Sequence, residues 1–174
     1  MKLINKTKLP DAVLTKVLTA AGRAIGARTS KVLVHVKSVR SGYYSTTGFA
    51  VMCSSTRRFT KGKWIATDGG FIDIGINIKN GMCDPLYIAE QFYNTALHEW
   101  AHIKDFQFSF RPEFSHLTNG RRPKHNTRPE EIRAFNMVDD AKAKADRGLL
   151  KSRDDLILDL AISLEELCKS KQEK

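Results

Sequence analysis

"DPLYIAEQFYNTALHEWAHIKDF", residues 84–106, is the segment from which the architecture of this chain unfolds. Asp84 followed by Pro85 marks a helix start, a side-chain cap with proline in the first turn. The pattern predicts a helix from about residue 85 to 106. Ala96, Leu97, Trp100, Ala101 and Ile103 make its later turns largely apolar, so the helix is expected to be substantially buried. His98, Glu99 and His102 stand inside that apolar stretch, and buried polar side chains need partners.

Residues four apart on a helix share a face, about 5–6 Å apart at Cβ. Two imidazoles so placed can present nitrogens to one ion at the roughly 2.0–2.1 Å that zinc requires. Glu99 is rotated about 100° from His98, so it flanks such an ion and does not compete as a ligand. From there it can take a proton from a water that zinc has made acidic. Five histidines and eight glutamates occur among the 174 residues. Chance alone would produce this pattern about 0.006 times in such a chain. Polar residues on an exposed helix face are the plain alternative, and the apolar neighbours fit that reading less well.

Upstream, "PDAVLTKVLTAAGRAIGA" (10–27) places Val13, Val17, Leu18, Ala21 and Ile25 at helical spacing. "KVLVHVKSV" (31–39) alternates as a strand, and "FAVMCS" (49–54) predicts a second. "GKWIATDGGFIDIGINIKNG" (62–81) reads as a hairpin turning at Asp68-Gly69-Gly70, with Ile72, Ile74, Ile76 and Ile78 on one face. Downstream, a polar basic loop (107–128) leads to a helix opened by Pro129, with Glu130 and Glu131 in its first turn. A last helix is predicted over about 153–171, capped by Ser152. The order predicts one α+β domain over 1–174. It comprises an N-terminal helix, a small, mostly antiparallel sheet of three to four strands, the histidine-bearing helix and two C-terminal helices.

A catalytic zinc takes three protein ligands and keeps a position open for water. The metzincin extension would need Gly at 105 and His at 108, where this chain has Asp105 and Phe108, so that class is excluded. The third-ligand candidates are Glu131, Glu130, His116 and His125, with Glu131 favoured because a helix would fix its carboxylate. Tyr93, His116, His125 and Arg128 are candidates for steadying an oxyanion. Asp139 and Asp140 read as helix-surface charge rather than acceptors for the imidazole N–H groups, and His35 as a residue of its strand.

"HEWAH" (98–102) followed by "EIRA" (131–134) on the next helix resembles the zincin metallopeptidases. It looks most like the small gluzincin-type proteins related to the ImmA/IrrE group, over about residues 70–140. The resemblance implies a zincin-like fold with His98, His102 and Glu131 as Zn2+ ligands and Glu99 as general base. It also implies that the strand before the helix, 71–78, holds an extended protein or peptide substrate by β-addition.

The net charge of +10 is uneven. Residues 1–128 hold 20 Lys and Arg against 8 Asp and Glu, and residues 129–174 hold 9 against 11. Dense basic patches at 57–63 and 120–128 can attract nucleic acid by charge alone, although no known binding module accompanies them. Cys53, Cys83 and Cys168 form no Cys-x-x-Cys pair and read as reduced thiols. With no signal-peptide-like apolar run and no stretch of about 18 apolar residues, a cytoplasmic location without a membrane partner is expected. Three functions follow as expectations. The first is a zinc metallopeptidase, the second a DNA-associated SprT-like protease, and the third a non-catalytic zinc-binding regulatory or interaction protein.

Overall fold

The computed structural model describes residues 1–39, 46–51, 57–60, 63–66, 70–77, 84–108, 129–146 and 153–172. In chain order these form β1 (Lys2–Lys6), α1 (Asp11–Ile25), β2 (Val32–Ser38), β3 (Thr46–Val51), β4 (Arg57–Thr60), β5 (Lys63–Ala66), β6 (Gly70–Ile76), α2 (Pro85–Phe108), α3 (Pro129–Asp146) and α4 (Arg153–Gln172). The α+β class and all four helices agree with expectation.

The sheet does not. Its order is β1-β2-β6-β3, with β1–β2 and β2–β6 parallel and only β3–β6 antiparallel. The expected mostly antiparallel sheet is therefore replaced by a mainly parallel one. The reason lies in two-sided burial. Val32, Leu33, Val34 and Val36 of β2 are all buried, as are Phe71, Ile72, Ile74 and Ile76 of β6. Strands buried along most of their length suit parallel pairs, whose connections cover the sheet. Parallel neighbours also need a crossover of a dozen or more residues, which α1 supplies between β1 and β2. The short, lysine-flanked β1 carries too few apolar residues to announce itself locally.

The hairpin expected over 62–81 is not formed as a unit. β5 pairs with β4, setting Phe59 opposite Trp64, whereas β6 pairs with β2 and β3. Gly70 opens β6 and donates its N–H to the Lys31 carbonyl at 3.3 Å, tying the strand to the start of β2. Asp68, Gly69, Asn80, Gly81 and Ser152 lie outside the described residues. Because both edges of β6 (Gly70–Ile76) are taken, those residues cannot accept a substrate strand, and Ile78 lies outside the described residues. The edge strands of the sheet are β1 and β3.

Val32, Val34 and Val36 join Ile72, Ile74 and Ile76 beneath the helices in one core. On the alternate face of these strands His35 stands opposite Asp73, its Nδ1 at 3.4 Å from Oδ1, while Lys37 Nζ donates to Oδ2 at 2.7 Å. His35 is thus a residue of its strand, as expected, and stands beside the Lys37–Asp73 ion pair.

Helix α2 runs through the middle, packed against α1, α3, α4, β3 and β6. Phe92 and Trp100 are fully buried along it. A Cβ on Gly22 of α1 would stand 3.1 Å from the Trp100 ring, so α1 and α2 meet at close range where Gly22 has no side chain. Lys104 of α2 donates to the Ile25 carbonyl at 2.7 Å, placing a cation at the C-terminal end of α1. Among the described residues no helix is long and apolar enough to cross a membrane.

The Trp100 indole N–H has no hydrogen-bond partner among the described residues, so this side chain stabilises through packing alone. Trp100→Ala should therefore lower unfolding stability by about 3–5 kcal/mol in a urea titration. Trp100→Phe, which keeps a ring and removes the unmatched donor, should cost less than about 1.5 kcal/mol.

Candidate metal centre

The sequence starts α2 as expected. Asp84 Oδ1 accepts the Leu86 N–H at 3.0 Å, and the Asp84 carbonyl accepts the Ile88 N–H at 3.1 Å. Burial of Ile88, Ala89, Phe92, Ala96, Trp100 and Ile103 then fixes how the helix is rotated about its axis. With that rotation set, His98 and His102 emerge together at a half-buried surface, and Glu99 is turned inward at 4% exposure.

The two imidazoles meet at their tips. His98 Nε2 lies 3.1 Å from His102 Nε2, with ring centroids 4.7 Å apart and planes at 89°. An ion about 2.0–2.1 Å from both nitrogens would see them at about 95–102°, close to the tetrahedral angle that zinc adopts. The separation of the two nitrogens is within what one such ion can span. Without a metal, a single proton shared between the nitrogens spans the same gap.

Helix α3 borders this pair. The Phe135 ring lies 5.0 Å from the His98 ring, tilted by 48°. Glu131 stands one turn earlier on α3, so its backbone position shares the helix face that carries Phe135. The side chains of Glu130 and Glu131 are outside those described, and His116, His125 and Arg128 lie outside the described residues altogether. Among the described residues no third His, Cys, Asp or Glu joins the two histidines.

Tyr93 is on the wrong side of α2 to steady an oxyanion at the pair. Five residues before His98, it is rotated about 140° from that residue. It lines a small space with Ala24, Leu97, Ala141, Lys142 and Arg153. Burial there pushes its phenol above the usual value, with the charge of Arg153 opposing the shift. Asp139 and Asp140 are exposed on α3, in keeping with surface charge. Cys168 is a half-buried free thiol, and Cys53 and Cys83 lie outside the described residues.

Two residues of the site went unread in the sequence. Phe135 could have been found as the residue one helical turn past Glu131. Gly48 precedes the strand expected over 49–54, and only the earlier start of β3 at Thr46 puts this glycine inside a strand, where it marks close approach by another group. No protein-family model matches the chain, and neither the curated proteins nor the solved structures include a significant match.

Zinc titration monitored by competition with a chromogenic chelator should give about one ion per chain. His98→Ala and His102→Ala should each weaken binding at least about a hundredfold, since even residues behind the ligands change affinity by 10–100-fold. His35→Ala should leave it unchanged. Equal affinity in all four proteins would exclude the paired histidines as the site.

Proposed function

We propose that the chain is a zinc-dependent metallopeptidase of the zincin type, hydrolysing peptide bonds. The observation that carries this reading is the 3.1 Å meeting of two imidazole nitrogens on α2, with the carboxyl-bearing Glu99 between them in sequence. In this reading His98, His102 and Glu131 hold the ion. Zinc when bound supplies Lewis acidity, polarising a carbonyl and lowering the pKa of water toward about 7.

Glu99 does the proton work. It takes a proton from the attacking water and returns it to the leaving nitrogen, so the enzyme ends each cycle as it began. Its burial keeps bulk water away from that proton. The edge strand β3 is the natural platform for an extended substrate. Its inner edge is paired with β6, and among the described residues no strand pairs with its outer edge. A peptide backbone added there would lie beside the strand against which Glu99 packs.

A second reading draws on β4 and β5, which fold the basic 57–63 patch into a two-stranded antiparallel ribbon. Such a ribbon has the width to enter a DNA major groove. A DNA-associated protease of the SprT-like kind would bind duplex DNA with an affinity that falls steeply with salt. Absence of a salt-dependent gel shift would remove that reading.

Metal content and hydrolysis of dye-labelled unfolded casein, measured together, test the main reading. Glu99→Gln should keep its zinc and lose at least about a hundredfold in rate. Glu131→Ala should bind zinc at least about tenfold more weakly. Undiminished zinc in Glu131→Ala would move the third position to Glu130, His116 or His125. A zinc-loaded wild type without hydrolysis would favour the non-catalytic binding protein, and a wild type without zinc would end both.

A further inference from the structure

We infer that Gly48 is a positioning residue for Glu99: its missing side chain leaves a notch in edge strand β3 that receives the Glu99 carboxylate. The inference rests on the proton role proposed for Glu99, and the contact behind it stands on geometry alone.

A Cβ built on Gly48 would overlap Oε1 of Glu99 and stand 2.7 Å from both Glu99 Cγ and Thr95 Cγ2. Carbon atoms in good contact sit at about 3.5–4.0 Å. Any other L residue at 48 must therefore displace the glutamate or the helix. Tight packing of the whole strand is not the cause, because Gly48 itself is exposed while Glu99 is 4% exposed. The approach is local, between one residue of β3 and one face of α2.

That face is held in register by a second contact. Thr46 Oγ1 and Thr95 Oγ1 share a hydrogen bond at 2.8 Å. Thr95 and Glu99 are four apart on the helix, and Thr46 and Gly48 are two apart on the strand, so each pair lines one face of its element. The two contacts dock α2 on β3 side by side. Trp100 and Phe92 lock the helix from its buried side, which leaves little freedom for it to withdraw. A side chain at 48 would push the carboxylate, the more mobile group, out of place. Glycine weakens a strand interior, so its use in "TTGFAV" needs a local reason of this kind.

A stability cycle and an activity assay test the two halves separately. Gly48→Ala alone should lower Tm by about 2–4 °C, the shift expected of one lost contact in a chain of this size. In a Glu99→Ala background, the same Gly48→Ala change should cost less than half as much Tm, the remainder coming from the contact with Thr95 Cγ2. An equal loss in both backgrounds would overturn the contact. In zinc-loaded Gly48→Ala, kcat on dye-labelled unfolded casein should fall at least about tenfold with KM within about twofold, as small misplacements of a reacting group do. Unchanged kcat, or a KM that rises as much as kcat falls, in a folded, zinc-loaded variant would overturn the positioning role. If the wild type hydrolyses nothing, the function proposed above fails, and the Tm cycle still decides whether Gly48 seats Glu99.

Discussion

Burial of α2 on most of its sides is the constraint from which the rest of the structure follows. Phe92 and Trp100 lie fully inside the core, against α1 and the helices that come after. Once they are seated, the rotation of the helix is no longer free. His98 and His102 must then emerge toward α3, Thr95 and Glu99 toward β3, and Tyr93 toward α1 and α4. One packing requirement thus aims every polar group of the site. It also explains how an inward-facing carboxylate and two surface-facing imidazoles coexist within five residues.

The sheet contributes the second half of that geometry. Two parallel pairings place β2 and β6 at its centre, and β3 closes one side in the antiparallel sense. Central strands have no unpaired backbone groups to offer, whereas the outer edge of β3 has no strand partner among the described residues. The helix that carries the histidines docks beside this strand through Thr46–Thr95 and Gly48–Glu99. The helix that bears His98, Glu99 and His102 and a strand edge unpaired among the described residues are thereby brought side by side. Neither element would supply that arrangement alone.

Much of this was readable residue by residue. Helical periodicity, the Asp84 cap and Pro129 located the helices because those signals act within a few residues of where they appear. The His98–His102 pair was readable for the same reason: a spacing of four becomes a shared face as soon as a helix forms. Strand pairing was not readable. Alternation in "GFIDIGI" reports which residues face the core, and it is the same whether the neighbour runs parallel or antiparallel. The Asp68-Gly69-Gly70 turn signal suggested a local partner, yet β6 joined β2, more than thirty residues upstream, because two seven-residue apolar strands bury more surface together than either would with the four-residue β5.

The sequence alone therefore established four helices, the α+β class, the buried character of α2 and the convergence of His98 with His102, all consequences of short-range geometry. Tertiary structure decided the strand order, the identity of the edge strand, the approach of Phe135 to His98 and the seat of Glu99 against Gly48. Those features join residues between 20 and 51 positions apart in the chain. Contacts at such range are chosen by how whole elements bury their surfaces against one another, and no local pattern of residues encodes that choice.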